Sequence, residues 1–156
     1  MQMAISGTDT FHLLGNIIRM FSPSTANGGA FSMSEFITRP SCGSPPNRHP
    51  GENESFYVLT GQFEFIVNGE PQVLGPGGFI RVPDGAPHQF TNCGEADATM
   101  LVINRPGQVH DSFFAEIGEP LPSGSKRFPP PSSTPPDMAR IRAIAIRCGI
   151  EFVPKP

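Results

Sequence analysis

The chain has 156 residues, room for one ordinary domain, and its 11 Lys and Arg against 14 Asp and Glu leave a net charge of −3. No basic run offers a surface to nucleic-acid phosphates, and no apolar stretch approaches the roughly 18 residues of a membrane span. The first ten residues lack the basic start and apolar stretch of a secretory signal, and the three cysteines (Cys42, Cys93, Cys148) are odd in number and widely spaced. A disulfide framework and a zinc ribbon are both poor fits, so a reducing cytoplasm is the expected setting.

Glycine (17) and proline (19) fill nearly a quarter of the chain. Between these turn formers the apolar residues alternate, which selects short β-strands over disorder. β-type apolar runs lie at Leu13-Leu14 and Ile17-Ile18, within 11–21. A turn region over 22–29 includes Asn27-Gly28, a strong hairpin dipeptide, and a strand follows over about 31–39. After a Gly-, Ser- and Pro-rich loop over 40–46, strands are predicted over 54–60 and 62–67, divided by Gly61, the second ending at Asn68-Gly69. Short strands follow at 72–74, 79–82, 88–92 and 99–104. Seven or eight such strands with a turn every eight to twelve residues specify an all-β sandwich or barrel. Beyond Pro106 the character changes. Residues 111–117 read as a helical turn carrying Phe113, Phe114 and Ile117, and 120–136 as a Pro/Ser-rich linker. A helix then runs from an Asp137 N-cap to Gly149, with Ile141, Ile144, Ala145 and Cys148 on one stripe that should dock on the barrel or on a partner subunit. The expected organisation is a barrel over 1–106 with its motif core at about 43–92, a helical turn and linker over 107–136, and a C-terminal helix and tail over 137–156.

Four histidines are few, so their neighbours matter. The strand period of two puts Asn47 and His49 on one face and Arg48 on the other. Glu54, Phe56, Val58 and Thr60 share a face, and His88, Phe90 and Asn92 alternate in the same way. A barrel that converges these faces collects an imidazole, a carboxylate, a second imidazole and an amide. Two His and one carboxylate are the ligand set of non-haem iron oxygenases, and the same donors suit other divalent metals. A purely structural hydrogen-bonded cluster is the plainer alternative, but buried Glu and His are costly unpaired, and three at this spacing favour ligation. Phe36, Phe56 and Phe90 either line a pocket for an aromatic ligand or are plain core. His110 and Asp111 form an acid–base pair only if the Phe113-Phe114 segment folds over the barrel mouth. The plainer expectation is an exposed His before a helix.

These residues resemble the cupin family. Its first motif, G-x5-H-x-H-x4-E-x6-G, is read here as Asn47-x-His49-x4-Glu54-x6-Gly61. Its second, G-x5-P-x-G-x2-H-x3-N, is complete in Gly77, Pro83, Gly85, His88 and Asn92. The run Phe56-Tyr57-Val58-Leu59-Thr60-Gly61 is similar to the small single-domain cupins that include quercetinase-like dioxygenases. The resemblance covers about residues 30–105 and implies a double-stranded β-helix, the jelly-roll barrel, here with a short C-terminal α-helix. It implies one divalent metal ion (Fe, Mn, Ni, Co or Zn) held by Asn47, His49, Glu54 and His88, with Glu54 also the catalytic base. Two positions depart from the family: Asn47 stands where a His is usual, and Ser41 stands where the first motif opens on Gly. An amide is a weaker donor than imidazole, so Asn47 lowers metal affinity, changes the metal or leaves the site without one. The expected function is an oxygenase acting on a small aromatic or enol substrate. The alternatives are a non-oxidative isomerase, cyclase or lyase, and a non-enzymatic small-molecule binder. A small-molecule substrate and a homodimer are expected, with neither nucleic acid nor membrane as partner.

Overall fold

The computed structural model describes residues 8–155. In chain order it forms strands β1 (Asp9–Leu13), β2 (Asn16–Ser22), β3 (Ser32–Thr38), β4 (Asn47–Arg48), β5 (Asn53–Thr60) and β6 (Phe63–Val67). Strands β7 (Glu70–Leu74), β8 (Phe79–Val82), β9 (His88–Asn92) and β10 (Ala98–Arg105) complete the barrel portion. Helix α1 (Gln108–Ile117), strand β11 (Glu119–Leu121), helix α2 (Met138–Cys148) and strand β12 (Glu151–Phe152) follow. All pairings are antiparallel, in a seven-stranded sheet ordered β11-β1-β2-β3-β10-β5-β8 and a five-stranded sheet ordered β12-β4-β9-β6-β7. This is the expected all-β jelly roll. No helix among the described residues is long and apolar enough to cross a membrane.

The period of two decides which residues fill the interior. Ala98, Met100, Val102 and Asn104 of β10 are buried while their neighbours point outward, and His88, Phe90 and Asn92 of β9 follow the same rule. The core is dominated by Phe56, Phe63, Phe65 and Phe90, with ring centroids of the Phe56–Phe65, Phe56–Phe90 and Phe63–Phe90 pairs 5.1, 5.7 and 6.1 Å apart. Asn92, the last residue of the second motif, is structural. Its buried side-chain nitrogen donates to the carbonyls of Thr38 and Ala96, pinning β9 to the end of β3 and to the next turn. Gly61 is required at the β5–β6 turn, where φ is +75° and a Cβ would lie 2.5 Å from that of Ala98.

The predicted strands hold to within a residue or two, and two local expectations change. Asn27-Gly28 does not make a two-residue hairpin. β2 and β3 pair through the wider loop 23–31, because Ser24–Asn27 forms a 3-10 turn that the Asn27 side chain closes. Its nitrogen donates to Ser22 Oγ and the Phe31 carbonyl, and its oxygen accepts from the amides of Ala30 and Phe31. The single helical turn expected at 111–117 is the ten-residue helix α1.

The segment after the barrel is anchored at several points. β11 adds to the edge of the larger sheet beside β1, and the Arg39 guanidinium lies 4.2 Å from the centre of the Phe128 ring. α2 has the expected cap, Asp137 Oδ1 accepting from the Arg140 amide at 3.0 Å, and ends at Gly149 in the left-handed region. Its stripe of Ile141, Ile144 and Ala145 is buried in its own chain beside α1, and the following β12 pairs with β4. Asp137→Ala is expected to cost about 1 kcal/mol, the usual value of such a cap, read as a lower midpoint in urea unfolding.

Candidate metal centre and its pocket

The Pro50-Gly51 turn between β4 and β5 is held by Gly51 N–H donating to Asp84 Oδ1 at 2.7 Å. It brings His49 and Glu54 together, and β9 places His88 beside them. His49 Nδ1 donates to the Glu52 carbonyl and His88 Nδ1 to the Ala86 carbonyl, each at 2.8 Å. A carbonyl oxygen only accepts, so both protons sit on Nδ1 and the neutral rings present Nε2 lone pairs inward. The two Nε2 atoms are 3.3 Å apart, and Glu54 Oε2 lies 3.1 Å from that of His49 and 2.8 Å from that of His88. Three acceptors facing one another in a buried space repel unless a proton or a cation sits among them. The donor set therefore fits a divalent metal ion of the kind that takes imidazole and carboxylate.

The electrostatics agree. Burial opposes a charge on His49, but the hydrogen bond it gives to Glu54 and that carboxylate's negative charge outweigh it, so the pKa rises above 6.5. Burial also opposes ionisation of Glu54. Positive charge at His110, then the close contacts with His49 and His88, outweigh that and hold the carboxyl well below its usual range. Both shifts favour a proton on His49 beside an ionised Glu54 in the metal-free site. A metal ion must displace that proton. Loading at pH 6.5 is expected to release more than about half a proton per ion from His49, measurable in weakly buffered solution. Release of none would place the ion elsewhere.

His110 is the residue that sequence reasoning set aside. α1 folds across the barrel with Phe113 and Phe114 buried, which buries His110 as well. Its partner is not Asp111, which instead accepts from the Ser24 amide. His110 Nδ1 is hydrogen-bonded to Glu52 Oε1, and its Nε2 lies 3.7 Å from Glu54 Oε1. Glu52 itself is 1% exposed and was not singled out by sequence, although the period of two places it on the same face as Glu54. Asn47 lines the cavity, and its nitrogen is committed to the carbonyls of Pro45 and His88 at 2.9 and 3.4 Å.

Above this polar floor the cavity wall is apolar. Phe36 and Phe90 contribute from the barrel, Phe113 and Phe114 from α1, Leu14 from the β1–β2 turn and Phe152 from β12. Phe56, the third aromatic expected there, packs against Phe65 within the core. Cys42 is not among the lining residues and lies under Gly15.

Two antiparallel sheets closed around a buried His/Glu cluster, with an apolar cavity above it, define a jelly-roll barrel of the kind that binds small molecules. The Cupin domain family matches residues 35–104 of this chain. Protein SchB of Streptomyces halstedii is 28% identical over 115 residues, covering 70% of this chain and 83% of that protein. The polyketide cyclase RemF from Streptomyces resistomycificus superposes with a TM-score of 0.58 at 20% identity, covering 83% of this chain and 89% of that one. A cupin-superfamily sugar phosphate isomerase from Silicibacter pomeroyi gives a TM-score of 0.52 at 24% identity, covering 58% of this chain and only 59% of that one. At these identities the two structures speak for the fold.

Proposed function

We propose that the protein is a metal-dependent enzyme that cyclises or rearranges a flat, enolisable substrate, aromatic or polyketide-like, without net oxidation. The observation that carries this reading is a floor of three imidazoles and a carboxylate beneath a cavity walled by aromatic and aliphatic side chains. His49, Glu54 and His88 hold one divalent ion, Fe, Mn, Ni, Co or Zn. His110 is the fourth donor, in the place that the cupin pattern gives to the residue at Asn47. When bound, the ion supplies positive charge that acidifies a hydroxyl or C–H next to the substrate oxygen it holds. Glu54 Oε2 is engaged by both His49 and His88, so Oε1 is the oxygen left to accept the substrate proton. A carboxylate held so firmly ionised is a weak base. It therefore suits only a proton that is already acidified. The phenyl rings of Phe36, Phe90 and Phe114 hold the flat substrate and exclude water, and Asn47 Oδ1 accepts from a substrate hydroxyl.

Part of the cavity wall lies outside the matched residues 35–104: Leu14 before them, and Phe113, Phe114 and Phe152 after them. The likeness to the polyketide cyclase covers 83% of this chain, well beyond the matched residues alone. That supports the cyclase reading, because walls set substrate class. A second reading, the oxygenase expected from sequence, is favoured by the two-His, one-carboxylate donors. Oxygen separates the two. Protein reconstituted with each metal is incubated with poly-β-carbonyl, flavonol and catechol substrates, with and without O2. Anaerobic turnover is expected. Turnover only with O2 uptake replaces the first reading by the second, and tight binding without turnover in either gas makes the protein a ligand carrier.

A further inference from the structure

Glu52 joins the barrel to α1 through both of its carboxylate oxygens. It is a fully buried carboxylate on the β4–β5 connection, and its two oxygens do different jobs. Oε2 accepts the backbone N–H of Gly107 at 3.1 Å and of Val109 at 3.0 Å. These are donors at the N-terminus of α1 that no helical carbonyl can satisfy, and a negative charge there is favoured by the helix dipole. Oε1 is hydrogen-bonded to Nδ1 of His110. The start of α1 is also fixed by close approach. Gly107 has φ +97°, and a Cβ on it would meet the Ser32 amide nitrogen at 2.5 Å. One carboxylate therefore ties the helix to the barrel and sets which face of its histidine looks inward.

We propose that Glu52 is a positioning residue for metal binding: it holds His110 as the Nδ1–H tautomer, with Nε2 directed at the ion. This rests on the reading of His49, Glu54 and His88 as the ion's other ligands. The chemistry leaves little freedom. A carboxylate accepts on both oxygens, so only a proton on Nδ1 satisfies Oε1, and the lone pair then falls on Nε2, on the side of Glu54. A histidine ligand backed by a carboxylate is a stronger and better oriented donor than a free imidazole. Glu52 also explains how a helix outside the barrel can supply a ligand at a fixed position: the group that docks the helix is the group that orients the ring.

Glu52→Gln is the informative substitution, because it keeps the volume and removes one acceptor. If the amide oxygen caps α1, the NH2 faces His110 Nδ1 and forces the proton onto Nε2. If the amide is turned round, His110 keeps its tautomer and the helix amides meet an NH2 instead. Either way one of the two jobs is lost. Co2+ titration of wild type, Glu52→Gln, His110→Ala and the double variant, followed by visible absorption, reads this out. Each single change is expected to weaken Co2+ binding by about 10–100-fold. The double variant is expected to bind as His110→Ala does, and Glu52→Gln to share its altered Co2+ spectrum. Wild-type affinity and spectrum in Glu52→Gln, with the Gly107 and Val109 amides still protected from hydrogen exchange, would overturn the proposal, as would full additivity in the double variant. If Glu52→Gln does not fold, 15N-detected NMR of the wild-type Zn2+ protein decides: a proton on His110 Nδ1 is expected, and one on Nε2 overturns it. His49→Ala separates the two levels. Lost Co2+ binding there with none lost in His110→Ala refutes only the Glu52–His110 proposal. Undiminished binding in His49→Ala refutes the metal site itself.

Discussion

Glu54→Gln is expected to produce the largest loss in the molecule, in two properties at once. Glu54 Oε2 is the common partner of His49 and His88, and all three side chains are almost wholly buried. Removing one partner of a buried ion pair costs about 3–5 kcal/mol, because the other charge is left without compensation. His49 can relieve part of that by releasing its proton, so the low end of the range applies to metal-free protein. Metal affinity has no such relief. It is expected to fall by at least about 100-fold, the upper limit for losing a group that only supports a ligand. Thermal unfolding of metal-free protein and a Co2+ titration read the two effects. Unchanged affinity would remove Glu54 from the ligand set.

Phe114→Ala is expected to be nearly as costly and more selective. Phe114 is 6% exposed, meets Phe36 edge-on with ring centroids 5.7 Å apart, and lies 5.6 Å from the His110 ring. Emptying a buried Phe site costs about 3–5 kcal/mol. At this chain length that lowers Tm by roughly 6–20 °C. Phe65→Ala, inside the barrel and away from the cavity wall, is expected to lose similar stability. The two differ in binding. Only Phe114→Ala removes part of the wall, so it alone is expected to raise KM for a flat apolar substrate in protein that is still folded. Equal effects of both variants on KM would mean that the wall does not contact the substrate.

The barrel is legible in the sequence because local rules and the global fold agree there. Alternation in β9 puts His88, Phe90 and Asn92 inward, and turn glycines such as Gly61 stand where positive φ is needed. His49, Glu54 and His88 are legible for the same reason, since each lies on the inward face of its strand or turn. The turn that holds Asn27-Gly28 is legible, but its width is not, because the Asn27 side chain closes it through bonds to Ser22, Ala30 and Phe31. From local pattern His110 is only a conditional candidate, and it is tied there to Asp111, not to Glu52. Its partner Glu52 is 58 residues earlier, and the contact exists only once α1 has docked. The signal that could have found it is Phe113-Phe114, two adjacent large apolar residues that a lone exposed helical turn would not carry. Glu52 was hidden by the Pro50-Gly51 turn, which interrupts the strand before the period of two is long enough to read.

Metal analysis of the untagged protein, purified and then reconstituted, tests most directly whether His49, Glu54, His88 and His110 form one site. About one Fe, Mn, Ni, Co or Zn ion per chain is expected, lost in His49→Ala and reduced in His110→Ala. Protein that takes up no divalent ion, with both variants indistinguishable from wild type, would contradict the site and leave the cluster as a proton-sharing network inside a ligand-binding barrel.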